Sequence, residues 1–316
     1  MNTSRIISLV TVATLFSSMS FAVAKEKKGG GGGNAGMAEY NKGNELFGQK
    51  QYEAAIAEFT KAIAANPNQA AFYENRGFAY IPLERAAEAI NDFTKAVELA
   101  PKDVRGYVGR AQAYTLHKDF DQAVADFDKA IELAPDEPST YRLRGFADLG
   151  KNDYTAALQD FSKAIEKNPQ DAQSYERRGY CNRSLRNYDA AVADYSKSLE
   201  LNPQDAQTWA RRGYTYTFLG QYDKAIADYQ QALKLDPNDV DTPQRLLYAK
   251  SQLAQRNAPR TTPVPATPTP TPTPKSAFTP INIGIGAVVL ILAVFFGIIA
   301  MRHRPVPVAE DSKRIR

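Results

Sequence analysis

Apolar and small residues recur through the middle of the chain with the spacing of one face of an α-helix. In the segment 222–235, this face carries Ala225, Ile226, Tyr229 and Ala232. The arrangement returns every 34 residues, and each copy ends on a proline; the six are Pro67, Pro101, Pro135, Pro169, Pro203 and Pro237. Proline disfavours helical geometry in the residue before it and lacks the amide that would continue the helix. The pattern therefore predicts paired helices closed by these prolines.

Three further columns of residues keep the 34-residue register. One column is small throughout: Ala55, Ala89, Ala123, Ala157, Ala191 and Ala225. Another is aromatic: Phe59, Phe93, Phe127, Phe161, Tyr195 and Tyr229. A third lies in the first helix of each pair: Gly43, Gly77, Ala111, Gly145, Gly179 and Gly213. Small residues allow two helices to approach closely and the rings fill the space beside them, so we expect each pair to pack as a hairpin.

The register divides residues 36–239 into six units. They are 36–69, 70–103, 104–137, 138–171, 172–205 and 206–239. Two consecutive units share nearly the same thirteen residues, "NPQDAQSYERRGY" at 168–180 and "NPQDAQTWARRGY" at 202–214. One helical hairpin cannot bury its own apolar face, whereas a stack of hairpins builds a continuous core. The repetition thus has a structural reason.

These columns resemble the pattern of tetratricopeptide repeats, and "TWARRGYTYTFLGQYDKAIADYQQALKLDP" at 208–237 matches it almost completely. The resemblance covers about two thirds of the chain. It implies an all-α fold, a right-handed superhelical solenoid of six hairpins whose concave wall is lined by the first helix of each unit. Local departures are Pro82, expected to shorten one first helix, and Asp148 and Asn182, which replace bulky residues and predict looser packing.

The segment 240–256 is predicted to be a helix that caps the last hairpin. Asp241 or Thr242 can serve as its N-cap, and a proline follows in the first turn, where it is tolerated. The leucines that we expect to lie inward are Leu246, Leu247 and Leu253.

The resemblance also implies which residues face a ligand in the concave groove. They are Tyr40, Asn44, Phe47, Phe78, Arg105, Gln112, Arg142, Phe146, Glu176, Tyr180, Arg183 and Tyr214. Aromatic and arginine side chains are the residue types that dominate interface energetics. The expected ligand is an extended or helical segment of a protein, with acidic residues to meet the arginines. The alternative is that the rings pack against neighbouring first helices and are mostly structural.

A charged pattern recurs as well, in which each arginine precedes an aspartate by 16 residues. The arginines are Arg76, Arg110, Arg144, Arg178 and Arg212, and Lys42 with Glu58 takes their place in the first unit. A stripe of arginines could hold an acidic ligand. We favour the other interpretation, a ladder of ion pairs within the array.

The flanks predict a membrane-anchored protein. Residues 1–24 resemble a cleaved export signal, and 25–35 form a lysine- and glycine-rich leader. Residues 257–280 alternate proline with threonine, which favours an extended polyproline II spacer. The uncharged segment Ile281–Met301 is long enough to be a transmembrane helix, and the tail 302–316 begins with basic residues. Because basic flanks stay in the cytoplasm, the repeats are expected outside it, in a bacterial periplasm.

Charge and composition argue against nucleic-acid binding and against catalysis. Residues 36–256 hold 28 Lys and Arg against 32 Asp and Glu, whereas a nucleic-acid reader carries a basic excess on its folded surface. His117 stands alone at a predicted turn, Cys181 is unpaired, and no cluster has metal-ligand spacing. We therefore expect no cofactor, no metal and no catalytic site.

The sequence predicts a non-enzymatic scaffold that binds a protein or peptide partner near a membrane. One alternative is self-assembly into homo-oligomers through the ends of the array or through the membrane helix, with an empty groove. A glycan binder or an unrecognised enzyme that uses groove tyrosines and arginines is the remaining alternative.

Overall fold

The computed structural model describes residues 35–258, which contain thirteen α-helices and no strand. The helices are α1 (Met37–Gly48), α2 (Tyr52–Ala65), α3 (Ala70–Tyr80), α4 (Ala86–Leu99), α5 (Val104–His117), α6 (Phe120–Leu133), α7 (Pro138–Gly150), α8 (Tyr154–Lys167), α9 (Ala172–Ser184), α10 (Tyr188–Leu201), α11 (Ala206–Phe218), α12 (Tyr222–Leu235) and α13 (Thr242–Asn257). As expected from Pro82, α3 ends early, and a 3-10 turn at Ile81–Leu83 follows it.

The predicted export signal, leader, transmembrane segment, tail and all but the first two residues of the spacer lie outside the described residues. Within residues 35–258, none of the helices combines the length and the apolar character that crossing a membrane requires.

The helices stack as consecutive hairpins. Each first helix packs mainly against the second helix of its own repeat, and that second helix packs against the first helix of the next repeat. Most pairs of successive first helices also contact one another, more closely than successive second helices do. The first helices therefore line the inner side of the array, and we call their ligand-accessible surface the inner face.

The core follows the columns of the sequence. All six aromatic-column rings are at most 1% exposed, and the alanines of the small column are fully buried. Phe93 shows how tight the contacts are, because Gly77 of its own repeat and Gly109 of the next both lie against its ring. A Cβ atom on Gly109 would stand 2.2 Å from Phe93 Cε1. The helices are thus as close as the absence of a side chain permits.

Five clusters of buried apolar residues lie within residues 35–258. Each cluster combines residues of one repeat with residues of the helix that follows it. The array therefore buries apolar surface between its own hairpins.

The turn between the two helices of each repeat uses one residue in the left-handed region of backbone conformation. These residues are Lys50, Glu84, Lys118, Asn152, Arg186 and Gly220, with φ between 58° and 70°. Only the last is a glycine, the residue that adopts this conformation without steric cost. The hairpin geometry is therefore imposed by packing rather than by turn residues.

The last helix corrects one expectation. Ala249 of α13 is fully buried and Leu246 packs against the core, but Leu247 is 70% exposed. Leu247 lies 34 residues after Gly213, at the position that faces the second helix in every repeat. Because α13 has no second helix among the described residues, the predicted inward position of Leu247 is wrong.

The looser packing expected at Asp148 and Asn182 is also wrong. Both residues are buried, at 5% and 8% exposure. Asn182 Nδ2 donates a hydrogen bond to Asp194 Oδ2 at 2.9 Å, so that a polar contact replaces the ring found at this position in other repeats.

Candidate peptide-binding face

The recurring arginine and aspartate residues form ion pairs within the array. Each arginine also binds a residue of the preceding repeat, and we call this three-residue unit a staple. In the second repeat, Arg76 Nε and Nη2 donate to the two carboxylate oxygens of Asp92, both at 2.7 Å. Arg76 Nη1 donates to Thr60 Oγ1 of the preceding repeat at 3.0 Å. The other four arginines repeat this geometry, with Thr94, Asp128, Ser162 and Ser196 as the acceptors from the preceding repeat.

Each staple joins three helices and leaves its arginine at most 25% exposed. Burial raises the pKa of Asp92, while the Arg76 guanidinium opposes this rise. Lys42 of the first repeat pairs with Glu58 at 3.0 Å, but its side chain is 60% exposed and has no preceding repeat to bind. The ladder is therefore internal, which removes these arginines from the candidate ligand contacts.

Sequence reasoning missed a second ladder on the first helices, one helical turn before the staple arginines. Its aromatic rings recur at the same spacing: Tyr73, Tyr107, Tyr141, Tyr175 and Trp209. Each ring lies 4.8–5.9 Å from the guanidinium carbon of the staple arginine three residues later. Trp209 Nε1 also donates to the Pro203 carbonyl at 3.0 Å, which holds its ring in place beside Arg212. The 34-residue spacing of the rings could have revealed them.

The inner face of the first two repeats is a closed polar network. Asn75 Nδ2 donates to the Tyr40 hydroxyl at 2.9 Å and to Asn44 Oδ1 at 2.6 Å. Asn75 Oδ1 accepts from Arg105 Nη2 at 2.9 Å, and Arg105 also pairs with the buried Glu74 at 3.2 Å. Burial raises the pKa of Glu74 to about 7, against the pull of Arg105. Three predicted groove residues, Tyr40, Asn44 and Arg105, are thus brought together around Asn75, which binds a polar atom of each.

Two predicted groove residues are buried and offer no free surface. Phe78 is 4% exposed because its ring packs edge-on against Phe93, with centroids 4.8 Å apart. Glu176 is 4% exposed and is enclosed by ion pairs with Arg177 and Arg211. Both expectations are corrected, since the spacing that predicted them does not distinguish the groove surface from the layer beneath it.

The other predicted groove residues of the first four repeats are partly buried. Phe47 packs against two core clusters, and Gln112 is half-buried. Arg142 is held by Asp171 at 2.8 Å, with both side chains 12% exposed. Phe146 packs edge-on against Phe161, with centroids 5.6 Å apart, and beneath Arg177. The middle of the inner face is therefore largely committed to structure.

The last two repeats and α13 carry a different arrangement, which we call the tyrosine–arginine stack: Tyr180, Arg183, Tyr214 and Arg245. The Arg183 guanidinium lies 5.1 Å from the Tyr180 centroid and 5.2 Å from the Tyr214 centroid. Arg245 lies 5.0 Å from the Tyr214 centroid. The structure brings Tyr180, Arg183 and Tyr214 together and adds Arg245, which sequence reasoning missed because it belongs to the capping helix.

Phe218 extends this surface to the rim of the inner face. Its ring is half exposed and stacks on Tyr188 with centroids 5.0 Å apart and an interplanar angle of 3°. Its other contact is with Tyr214, edge-on at 4.9 Å. An exposed ring in contact with the stack adds apolar surface of the kind that protein partners cover.

The described residues contain no group of three or more His, Cys, Asp or Glu side chains able to hold a metal. His117 Nδ1 lies 2.8 Å from Asp119 at an exposed turn. Burial raises the pKa of the Cys181 thiol to about 12, which disfavours the reactive thiolate. The chemistry that this surface offers is that of stacking, charge and hydrogen bonding.

Models of the tetratricopeptide repeat match almost the whole array. They cover residues 43–81, 70–103, 104–137, 143–206 and 206–239. The chain belongs to the tetratricopeptide repeat family. Proteins of this repeat fold are typically non-enzymatic interaction scaffolds. No curated protein matches the chain.

Solved structures show the same fold for the array. YrrB, described as "a TPR protein with an unusual peptide-binding site", is 23% identical and aligns over 61% of this chain and 97% of its own, with a TM-score of 0.51. Pseudomonas aeruginosa pilF is 16% identical over 69% of this chain and 97% of its own, with a TM-score of 0.58. The Cut9–Hcn1 complex matches at 18% identity and a TM-score of 0.56, over 68% of this chain but 43% of that chain.

Proposed function

We propose that this tetratricopeptide repeat protein is a non-enzymatic scaffold that binds a segment of a partner protein on its inner face. The observation that carries the proposal is the tyrosine–arginine stack with the exposed Phe218 beside it. Among the described residues of the earlier repeats, the polar network around Asn75, the buried Phe78 and the Asp171-bound Arg142 are occupied within the array. The last two repeats are therefore the part of the face with binding capacity left over.

We further propose that the array is displayed on a membrane, outside the cytoplasm. The support is the sequence: an export signal at 1–24, an uncharged 21-residue segment at 281–301 and basic residues after it. The proline-rich segment 257–280, between the array and the segment 281–301, would act as a spacer. Protease treatment of intact spheroplasts tests this proposal, because an external array is digested whereas a cytoplasmic one is protected.

Binding of a partner on the inner face is tested by using residues 35–258 as bait in extracts of the cell envelope. A matched bait carries alanine at Tyr180, Tyr214 and Phe218, and circular dichroism establishes that it remains helical. A protein that the parent retains and the folded variant loses supports binding on the inner face. Retention of the same proteins by both baits contradicts it.

One observation favours self-assembly as a second candidate function. Leu247 and Tyr248 of α13 are 70% and 54% exposed, so the last helix presents apolar side chains at the end of the array. Sedimentation over a hundredfold range of concentration separates the two functions. A monomer throughout the range excludes assembly through this end.

A further inference from the structure

The two edges of the array differ in charge. Because consecutive helices run antiparallel, the turns within repeats lie at one edge of the stack and the loops between repeats lie at the opposite edge. The turn edge comprises 49–51, 84–85, 118–119, 151–153, 185–187 and 219–221, and the loop edge comprises 66–69, 100–103, 134–137, 168–171, 202–205 and 236–241. The turn edge holds five basic and three acidic residues, whereas the loop edge holds one basic and eight acidic residues. One edge therefore carries a small positive charge and the other a large negative one.

Capping of the first helices accounts for part of the acidic loop edge. Asp103, Asp171 and Asp205 each stand at an N-cap and accept a hydrogen bond from a backbone N–H group. A short acidic side chain at this position stabilises the helix that follows it. The negative charge of the loop edge thus has a structural explanation within the array.

The basic residues of the turn edge have no such explanation. Lys50, Lys118 and Arg186 stand in the left-handed region of backbone conformation, with φ of 60°, 70° and 65°. Glycine adopts this conformation without steric cost, as Gly220 does in the last repeat. The three basic side chains are exposed, and within residues 35–258 none of them forms an ion pair. The turn edge therefore keeps positive charge at positions where the backbone favours another residue.

Apolar side chains accompany this charge in the fifth and sixth repeats. Leu185, which precedes Arg186 in its turn, is 37% exposed. Phe218, which precedes the last turn, is half exposed and stacks on Tyr188, the first residue after the fifth turn. Exposed apolar and basic residues on one surface are the combination that binds the boundary between lipid headgroups and acyl chains. The turn edge thus offers a lipid surface both kinds of contact.

The described chain also ends at this edge. Near the end of α13, Arg256 Nη1 donates to the Gly220 carbonyl at 3.2 Å, and Arg256 Nη2 pairs with Asp223 at 2.8 Å. In the sequence, the predicted spacer and transmembrane segment follow this end of the helix. A tether keeps the array at a high effective concentration near the bilayer, so a weak surface contact suffices to orient it.

We infer that the turn edge rests on the surface of a membrane that contains anionic lipids. Leu185 and Phe218 lie at the boundary between headgroups and acyl chains, and Lys50, Lys118 and Arg186 lie near the lipid phosphates. The acidic loop edge faces away from the bilayer, because like charges repel. This inference depends on the proposed membrane display and adds the orientation of the array, but it does not depend on the identity of the partner.

The test uses the full chain reconstituted into vesicles of phosphatidylcholine and phosphatidylglycerol, with bromine atoms on the acyl chains as quenchers of tryptophan fluorescence. Leu185→Trp places a probe on the turn edge, and Val240→Trp places a matched probe at an exposed apolar position of the loop edge. Trp209, the single tryptophan of the parent chain, supplies the background emission that is subtracted.

The contribution of charge is tested in the Leu185→Trp background. The charge variant carries glutamine at Lys50, Lys118 and Arg186. Its matched control removes the same charge from the second helices, with glutamine at Lys95, Lys129 and Lys197. Vesicles of brominated phosphatidylcholine alone provide the neutral bilayer, and circular dichroism establishes that each variant remains helical.

With phosphatidylglycerol present, we expect brominated lipid to lower the added emission of Leu185→Trp by about twofold or more and to leave that of Val240→Trp unchanged. The charge variant and the neutral bilayer should remove most of this quenching, because each basic side chain near an anionic surface favours contact by about fivefold. The matched control should keep it. Equal quenching at both probes, or none at Leu185→Trp in chains that are anchored in the vesicles, overturns the inference.

Two further outcomes separate this inference from the proposed function. A chain that binds no vesicle contradicts the membrane display as well. If Leu185→Trp is unquenched and the charge variant loses an envelope protein that the parent captures, the turn edge binds a protein instead of lipid. Capture through Tyr180 and Tyr214 is measured separately, so the scaffold function stands or fails on its own result.

Discussion

Asp148 and Asn182 occupy the same position in consecutive repeats, each twelve residues before the aspartate of a staple. Asn182 donates a hydrogen bond to that aspartate, which an ionised carboxylate cannot do. Burial and the neighbouring Asp160 raise the pKa of Asp148 to about 6, against Arg144 and Lys151, with Asp153 adding to the rise. The fourth repeat therefore holds a carboxyl group that is better tolerated when protonated.

This comparison predicts that Asp148→Asn stabilises the array at neutral pH. Because the pKa of Asp148 is raised in the folded state, the protonated carboxyl group stabilises the parent protein. This stabilisation is complete below the ordinary pKa of aspartate and is lost as pH rises through about 6. We expect the variant to exceed the parent by roughly 1–2 kcal/mol at pH 7.5, and the gain to shrink below pH 5. Urea unfolding at several pH values measures this difference, and a gain that does not depend on pH contradicts the explanation.

The glycines offer a second test, because the same substitution meets opposite surroundings at two positions. Gly109→Ala places a methyl group against Phe93, and we expect it to lower the free energy of unfolding by about 1–3 kcal/mol. A Cβ atom added to Gly48, at the end of α1, would meet nothing within 4 Å, so Gly48→Ala is expected to be neutral or stabilising by up to about 1 kcal/mol. Thermal unfolding followed by circular dichroism compares them. Equal effects would show that the close approach at Phe93 relaxes easily.

At the level of single residues, sequence columns predicted the core well and the inner face less well. Every aromatic of the core column is buried as expected, because burial there repeats with the period of the chain. Phe78 and Tyr214 share one column, yet Phe78 is buried and Tyr214 is only partly buried, since different neighbours cover them. Periodicity specifies a position within a repeat but not the side chains that surround it.

The last helix is the element in which the array departs most from its own pattern. It repeats the capping geometry of the repeats, because Asp239 accepts from Thr242 as Asp205 does from Thr208. It lacks a following second helix, and Leu247 stands where that helix would require a small residue. A bulky residue at this position is incompatible with the close approach of a second helix that glycine allows in the repeats.

Adjacent leucines in α13 therefore differ in their contribution to stability. Leu246 packs against the core cluster around Tyr229, whereas Leu247 faces outward. We expect Leu246→Ala to cost roughly 1–2 kcal/mol and Leu247→Ala to stay within about 0.5 kcal/mol. Chemical denaturation of both variants checks this order. A larger cost at Leu247 would mean that another surface covers it in solution.

The array as a whole is held together by neighbour contacts, so its stability should vary along its length. The first repeat has an exposed Lys42–Glu58 pair in place of a staple, and α13 stands without a second helix among the described residues. In a linear array, end repeats have one neighbour and open first. We expect hydrogen exchange measured by mass spectrometry to be slowest in α5–α8 and fastest in α1 and α13. Uniform protection would indicate a single cooperative unit.

The staples have a consequence for the inheritance of the gene. Arg178 and Arg212 use the same acceptor from the preceding repeat, a serine: Ser162 and Ser196. Removal of residues 172–205 would place Ser162 opposite Arg212 and leave every staple complete. The near-identical stretches at 168–180 and 202–214 are also the sites at which unequal recombination would make that deletion or its reciprocal duplication. Such an event would change the array by one whole unit while keeping every staple complete.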